Sequence, residues 1–509
     1  MGRLVSDRLL SEMSEFIAAR VGLHFPRERW HDLERAIVSA TGDFGCREPE
    51  SCVRWLLTSP LERREIEILS SHLTVGETYF FREKATFESL QKHVLPGLIR
   101  ARRNSGQHLR IWSAGCSTGE EPYSIAILLA ELLPDLGDWN ITILATDINA
   151  LSLRKGAAGA YKEWSFRDVA PEVREKHFTG TKDGHLEIAR RVKKPVTFAY
   201  LNLADDAYPA LENNTNAMDI ILCRNVLMYF EPERAKRVIE SFYRALVDGG
   251  WLIVSPAEAS HTLFPQFVTS NFPGAILYRK DTSATAGRPM TGAVSGELFA
   301  TPEIWLRPPV ALRSEPMAPV AEDIDRFLQV GVEENEAAAP ERTVYQEAKD
   351  LFERGRYVEA ADKTRVVLSQ NPVDARAMGL LARIHANQGA LAEALECCKK
   401  AVGAEKLNAD WRYLMATVLQ EQGRGEESLR ALKHALYLDP NHALAHFALG
   451  NLTARQGRAD ESEKYYRNAL SILRESRPDE LLHDAAGLTA GRLTEIIQST
   501  IPGGVKNER

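Results

Sequence analysis

Residues 1–74 carry apolar side chains three and four positions apart. The first such group consists of Leu9, Leu10, Met13, Phe16 and Ile17. This spacing places the side chains on one face of an α-helix. We therefore expect a small N-terminal helical domain.

Residues 75–280 alternate between short apolar runs of β-type and helical patterns. The β-type runs lie at residues 109–112, 141–145, 196–200, 218–223 and 251–254. Such alternation predicts a parallel sheet with crossover helices. Asp248, Gly249 and Gly250 are expected to end a helix before the last run, and residues 275–279 to add a strand. Residues 161–195 interrupt the pattern and predict a helix with a small β-excursion.

Residues 281–340 have no sustained periodicity and are rich in Pro, Ala, Ser, Thr and Glu, which predicts a disordered linker. Within residues 341–480, glycines recur every 34 residues, a spacing that resembles the tetratricopeptide repeat. These glycines are Gly355, Gly389, Gly423 and Gly457. We expect about four repeats that bind a protein or peptide ligand, followed by a capping helix and tail in residues 481–509.

Composition narrows the class of protein further. A chain of 509 residues suggests about three domains, and 26% charged residues with a net charge of −7 give no bias toward nucleic acid. No apolar run approaches the roughly 20 residues of a membrane span, so we expect a cytoplasmic protein without membrane insertion. The six cysteines form no C-x-x-C pair, so neither a metal site nor a disulfide framework is expected.

A glycine-rich turn follows the first β-type run. Gly115 and Gly119 allow a tight turn and close approach of a ligand, and a helix begins directly after them. Glu120 and Glu121 stand where a phosphate-binding loop would not usually place carboxylates. Ribose hydroxyls and a sulfonium would accept such acids, which favours S-adenosylmethionine over NAD or ATP.

The second β-type run ends in Asp147, 28 residues after Gly119. Ligands of open α/β sheets bind at the carboxyl ends of the strands, so Asp147 is expected to hold ribose hydroxyls beside Gly115. The alternative is that Asp147 caps the next helix ahead of Asn149.

Five segments occur in the order and at the spacing of one enzyme family. They lie at residues 73–83, 119–124, 145–147, 201–203 and 223–230. Through them, residues 1–280 resemble the CheR-type chemoreceptor glutamate methyltransferases. This resemblance implies an α/β class I (Rossmann-like) methyltransferase fold with an N-terminal helical domain. It also implies a protein-glutamate O-methyltransferase that uses S-adenosylmethionine on methyl-accepting chemotaxis receptors, here joined to an all-α tetratricopeptide domain.

The resemblance also implies roles for single residues. Arg82 and Tyr229 would face the methyl group and are the catalytic candidates. The remaining cofactor contacts, which Arg82 would share, would come from Gly76, Thr78, Gly115, Glu121, Asp147, Asn202, Leu203, Asn225 and Val226. Gly76 departs from the family, which often has asparagine there, so its contact would be lost or made by the backbone.

Other interpretations stay open at this point. The aromatic cluster could instead serve helix packing, through Tyr79, Phe80 and Phe81, with Arg82 a solvated neighbour. Tyr229 could be a core aromatic at the end of a strand. The chain could instead be a class I methyltransferase with another substrate, or a non-catalytic scaffold.

Features relevant to receptor binding are few. Arg27, Arg29 and Arg35 form a candidate basic patch in a helical domain without a basic surplus. The turn at residues 178–184 is shorter than the resemblance implies for family members that tether to a receptor's C-terminal pentapeptide. We therefore expect an enzyme that does not need this tether.

Overall fold

The computed structural model describes residues 4–59, 63–74, 76–104, 106–205, 208–260, 262–282, 343–482 and 488–500. The predicted linker, residues 281–340, lies outside the described residues from 283 onward, as does the tail from residue 501.

The N-terminal segment forms four helices with a hydrophobic core of their own. They are α1 (Asp7–Arg20), α2 (Trp30–Ala40), α3 (Pro49–Thr58) and α4 (Arg63–Leu73). The apolar face predicted for the first helix is buried, with Leu10, Met13 and Ile17 fully enclosed against Leu33 and Ile37. The prediction that these apolar side chains lie on one helix face and form a core is therefore confirmed.

A seven-stranded sheet in the order β6-β2-β1-β7-β8-β10-β9 forms the centre of the protein. Its strands are β1 (His108–Ala114), β2 (Asn140–Asp147), β6 (Val196–Tyr200), β7 (Met218–Leu222), β8 (Leu246–Ile253), β9 (Val268–Phe272) and β10 (Ala275–Arg279). The first five are parallel, as predicted, and the last two are antiparallel, β9 being unforeseen. The order in which successive strands are added to the sheet reverses between the parallel neighbours β1 and β7. Such a switch point opens a crevice at the carboxyl ends of the two strands.

The prediction that Asp248, Gly249 and Gly250 break a helix is wrong. Helix α11 (Pro232–Ala245) ends before them, and all three belong to β8. The register between β7 and β8 shifts at this point, and Gly249 has a φ of +79°. The two glycines therefore form an irregularity within a strand, which glycine permits because it lacks a Cβ.

Helices cover the two faces of the sheet unequally. One face packs on α5 (Lys84–Ser89), α6 (Leu95–Arg102), α7 (Glu120–Leu132) and α8 (Ala150–Ala158). The other packs on α11, beside Trp112 and Leu144. The connection from β6 to β7 has no helix in its described residues, 201–205 and 208–217. This second face of β2 and β6 consequently receives no crossover helix.

The predicted excursion is present. It consists of β3 (Ala160–Tyr161), α9 (Pro171–His177), β4 (Phe178–Gly180), β5 (Leu186–Ile188) and α10 (Arg190–Lys193). The three short strands form an antiparallel sheet, and β4 joins β5 through residues 181–185. Phe80 packs on Tyr161, Phe166 and Phe178 with ring centroids 4.9 to 5.1 Å apart, so its role is packing.

The C-terminal part consists of paired antiparallel helices. They are α12 (Val344–Glu353), α13 (Tyr357–Gln370), α14 (Ala375–Asn387), α15 (Leu391–Ala404), α16 (Ala409–Glu421), α17 (Gly425–Leu438), α18 (Ala443–Arg455), α19 (Ala459–Leu473) and a final α20 (Ala490–Thr500). Each glycine of the 34-residue period lies in the turn within one pair and has a φ between +71° and +77°. In the described part of the chain, no helix combines the length and the hydrophobicity that a bilayer span requires.

The repeats pack directly on the sheet domain. Asn140 Nδ2 donates to the carbonyl of Glu421 at 2.8 Å, and Arg383 lies 3.3 Å from Glu212 in a buried ion pair. Helix α20 contacts β6, and residues of α16, α18 and α20 lie over the exposed face of β2 and β6. The repeats thus cover the face that lacks a crossover helix.

Candidate active site

A pocket of about 100 Å³ lies at the carboxyl ends of β1, β2, β6 and β7. Seven predicted cofactor residues line it together with Tyr229, and they are Gly76, Gly115, Asp147, Asn202, Leu203, Asn225 and Val226. Part of its remaining wall comes from the N-terminal domain, through Val21, Leu23, His24 and Phe25. This last contribution was not predicted, because the recognisable motifs begin at residue 73.

The turn at Gly115 requires glycine. Its φ is +80°, and a Cβ at this position would lie 2.4 Å from Val226 Cγ2. The amide of Gly115 donates to the carbonyl of Thr146 at 2.8 Å, which holds the turn against β2. A larger residue would close the space between the two loops that border the pocket.

Asp147 connects the turn to the next helix. Its Oδ2 accepts from the amide of Ser117 at 2.8 Å, and its Oδ1 accepts from the amide of Asn149 at 2.8 Å. Burial raises the pKa of Asp147. The N-cap of α8 is Asn149, whose Oδ1 accepts two amide hydrogen bonds, so the capping alternative for Asp147 is wrong. Each carboxylate oxygen retains acceptor capacity toward the pocket.

The loop after β7 is held by a buried acid that the sequence analysis missed. The carboxylate of Glu258 accepts from the amides of Asn225 and Val226, each at 2.7 Å, and from the hydroxyl of Ser255 at 2.6 Å. Asn225 has a φ of +59°, an uncommon conformation that these bonds fix in place. Glu258 lies in an unremarkable segment, so no local pattern identifies it.

A second pocket of about 220 Å³ adjoins the first, and Gly115, Asn225 and Tyr229 line both. The other predicted residues, Thr78, Arg82 and Glu121, line the second pocket. The structure therefore brings all eleven predicted site residues around two connected spaces. Their individual roles remain predictions.

Arg82 and Tyr229 lie on opposite segments of this second pocket. Arg82 Nη1 donates to the carbonyl of Glu77 at 2.7 Å. Its Nε and Nη2 make no hydrogen bond with any described residue, so they are free to donate to a ligand. Tyr229 is half-buried in a short 3₁₀ turn, and its ring lies 5.4 Å from the guanidinium of Arg29. It is not a core aromatic; the neighbouring Phe230 occupies that position.

A buried ionic network forms part of the wall of this second pocket. Arg224 Nη1 lies 2.8 Å from Glu121 Oε2, and Arg224 Nη2 lies 2.9 Å from Glu83 Oε2. Glu121 also accepts from Ser113 at 2.7 Å. Glu120, by contrast, turns away from both pockets, and burial raises its pKa. Only one of the two acids that suggested the cofactor therefore faces the site.

The N-terminal domain closes over the site through backbone contacts. The amide of His24 donates to the carbonyl of Tyr229 at 2.7 Å. Gly22, with a φ of +87°, approaches so closely that a Cβ would lie 2.4 Å from Ala204 Cβ. The basic patch predicted nearby is largely paired, because Arg27 lies 3.5 Å from Asp7, and both Arg29 and Arg35 contact Asp32.

The fold and this site define a class I methyltransferase that uses S-adenosylmethionine. The residues present fit that cofactor, since Asp147 supplies an acceptor for hydroxyl groups, Gly115 leaves a space that a Cβ would fill, and apolar side chains line the rest. Residues 76–271 match the model of the CheR methyltransferase, SAM binding domain, and residues 345–408 and 413–480 match a tetratricopeptide repeat model. The chain belongs to the CheR methyltransferase family.

Relatives of known name agree with this assignment. Chemotaxis protein methyltransferase 2 of Vibrio cholerae is 36% identical over 42% of this chain and 73% of its own length. A probable chemotaxis protein methyltransferase of Rhizobium etli is 38% identical over 40% of this chain and 75% of its own. The probable biofilm formation methyltransferase WspC of Pseudomonas aeruginosa is 28% identical over 73% of this chain and 93% of its own.

Proposed function

We propose that this protein methylates glutamate side chains of methyl-accepting chemotaxis receptors and so forms glutamate methyl esters. The observation that carries the proposal is the second pocket, where Arg82 presents free donors beside the cofactor pocket. The relatives are named as chemotaxis protein methyltransferases, and the CheR-type resemblance implies a receptor as the substrate. A cytoplasmic location is part of the proposal, because the methylated region would be the receptor's cytoplasmic domain.

In this proposal the first pocket holds S-adenosylmethionine, which supplies a methyl group carried on a sulfonium sulfur. Asp147 would accept from its ribose hydroxyls, and Asn202, Leu203, Asn225 and Val226 would surround its adenine and methionine portions. Thr78, Glu121 and the backbone of Gly76 would complete the contacts. Val21 and Phe25 would exclude water from the cofactor pocket, which strengthens electrostatic interactions inside it.

The substrate needs little activation. A glutamate carboxylate has a reference pKa of about 4.3, so it is ionised at neutral pH and no general base is required. The enzyme's task is positioning, which is worth several orders of magnitude when reacting atoms are held about 3 Å apart. The free Nε and Nη2 of Arg82 match the two oxygens of one carboxylate. Tyr229, whose side chain lines both pockets, would share the orienting role.

Charge compensation supports an acidic substrate at this position. Glu121 would repel an incoming carboxylate if it were unpaired. Arg224 lies between Glu121 and Glu83 and neutralises part of their charge. Among the described residues lining this pocket, Arg82 is then the cation without a carboxylate partner. Its guanidinium would be available to pair with a substrate carboxylate.

The test is a transfer assay with methyl-labelled S-adenosylmethionine and a cytoplasmic chemoreceptor fragment. Label released as methanol by mild alkali identifies carboxyl methyl esters. We expect Arg82→Ala and Tyr229→Phe to lower turnover more than stability, whereas Arg100→Ala, at an exposed position on α6, leaves it unchanged. Unchanged turnover in the first two variants would exclude the proposed roles.

A second candidate is methylation of a receptor outside chemotaxis, which the match to the probable biofilm formation methyltransferase WspC favours because it covers 73% of this chain. It predicts cofactor binding without labelling of a chemotaxis receptor. A scaffold without catalysis predicts no transfer to any receptor. The short β4–β5 connection supports an enzyme independent of the pentapeptide tether, with the repeats supplying the contact to a receptor or another protein.

A further inference from the structure

A cavity of about 190 Å³ lies between the sheet and the repeats. Its floor is the face of β2 and β6 that no crossover helix covers, and its other walls come from α16, α18 and α20. Hydroxyl and amide side chains from both sides line it, among them Thr142, Thr146, Thr197, Asn213, Asn214 and Asn451. These side chains lie among apolar ones such as Leu144 and Phe447, and they supply hydrogen-bonding partners for an occupant that carries polar groups.

One unpaired cation projects into this space. Arg455, the last residue of α18, lines the cavity, and its guanidinium makes no hydrogen bond or ion pair with any residue that the structure describes. Its side chain retains accessible surface, while the protein packed around it desolvates the guanidinium. Burial lowers its pKa, and the positive charge of Arg110 lowers it further. An arginine in this position is stabilised if an anion joins it.

Arg110 supplies a second, fixed cation. It is 5% exposed, and residues of the connection between β6 and β7 hold it in place. Its Nε donates to the carbonyl of Asn216 at 3.1 Å, and its Nη2 donates to Asn214 Oδ1 at 2.7 Å. Its Nη1 has only a distant contact, 4.0 Å to Glu421 Oε2. The guanidinium is therefore oriented before any ligand arrives.

Glu421 does not neutralise the pair. It occupies the repeat position equivalent to Arg455, exactly one 34-residue period earlier, at the end of α16. Burial raises its pKa, and its Oε1 has no hydrogen-bond partner among the described residues. Glu212 also lines the cavity, but it is ion-paired with Arg383. Arg110 and Arg455 thus share the cavity with one carboxylate that has its own cation and one whose charge burial disfavours, which leaves a surplus of positive charge.

We propose that this cavity is a binding site for a small oxyanion, a carboxylate or phosphate compound, held between Arg110 and Arg455. Glu421 and the surrounding amides would bind the ligand's hydroxyl or other polar groups. The site is separate from the cofactor pocket, although Leu201 lines both.

The test is calorimetric titration of the full chain with inorganic phosphate and, separately, with succinate. We expect one site per chain for at least one probe, at least tenfold weaker binding in Arg455→Gln, and partial retention in Arg455→Lys. Binding of one probe alone assigns a phosphate or a carboxylate ligand, and binding of both assigns a general oxyanion site.

Two controls make the result specific. Arg100→Ala should bind the probe as the wild type does, because Arg100 is exposed on α6 and lines neither the cavity nor the catalytic pocket. Circular dichroism should show that Arg455→Gln is folded. Absence of binding by both probes at millimolar concentration, or equal binding by Arg455→Gln, would overturn the proposal.

Discussion

The guanidinium of Arg224 lies 2.8 Å from the carboxylate of Glu121, and this contact joins the loop after β7 to the first turn of α7. Arg224 also contacts Glu83 and the carbonyl of Arg82. One buried cation therefore fixes the two segments that border the second pocket.

Removing this cation should be costly. In Arg224→Met two carboxylates lose their partner in a buried site, which is expected to lower the free energy of unfolding by about 3–5 kcal/mol. Denaturant unfolding measures the change. Addition of Glu121→Gln to the same chain should restore part of the loss, and a double variant as unstable as the single one would show that the pairing is not responsible.

Gly22 is expected to control closure of the N-terminal domain over the cofactor. Gly22→Ala combines an unfavourable positive φ with contact against Ala204, at a cost of about 1–2 kcal/mol, which corresponds to a roughly tenfold weaker affinity for S-adenosylmethionine. Calorimetry measures the affinity. Gly45→Ala is the matched control, since Gly45 has a φ of +70° in the same domain and an added Cβ meets nothing within 4 Å.

The repeat glycines allow a test of how the repeats dock. A Cβ at Gly355 would lie 2.5 Å from Arg244 Cγ and one at Gly423 would lie 3.1 Å from Asn140, whereas one at Gly457 meets nothing within 4 Å. All three have similar φ angles, so alanine costs each about 1–2 kcal/mol of local strain. We expect Gly355→Ala to destabilise the protein more than Gly457→Ala in thermal unfolding. Equal losses would mean that the repeats do not contact the methyltransferase domain through this turn.

Lys280 should make stability depend on pH. Burial lowers the pKa of Lys280 to about 8, while its Nζ donates to the carbonyls of Tyr243 and Leu246. In the unfolded chain the pKa of lysine is about 10.4. Between about pH 8 and pH 10.4 the unfolded state therefore binds a proton at Lys280 that the folded state has lost. The free energy of unfolding should therefore rise from pH 8 toward pH 10 relative to Lys280→Met. A constant difference between the two proteins across this range would contradict the assignment.

The sequence predicted the parts of the protein that are governed by local pattern. The apolar runs before Ala114 and Asp147 became strands because their spacing and composition are decided within a few residues. The 34-residue glycine period likewise identified the helix pairs, since each glycine meets a local need for a positive φ. Asp248 to Gly250 misled the prediction because glycine serves equally in a helix end and in an irregular strand.

Long-range contacts were not predictable in the same way. Glu258 and His24 contribute to the site through partners about 30 and 200 residues away, and neither stands in a distinctive motif. Arg224 was visible inside a motif, but its function depends on Glu121 and Glu83, which only the fold brings to it. The uncovered sheet face does have a local signature, because residues 201–217 lack helical periodicity.

That uncovered face gives the repeats a second role. In a doubly wound sheet, helices of the same domain cover both faces. Here helices α16, α18 and α20 of the repeats cover the second face of β2 and β6 instead. The repeats are consequently not a detachable adaptor. Folding of the two halves is expected to be thermodynamically linked, and a shortened chain ending before residue 343 would lose structural support for the strands that carry Asp147 and Asn202.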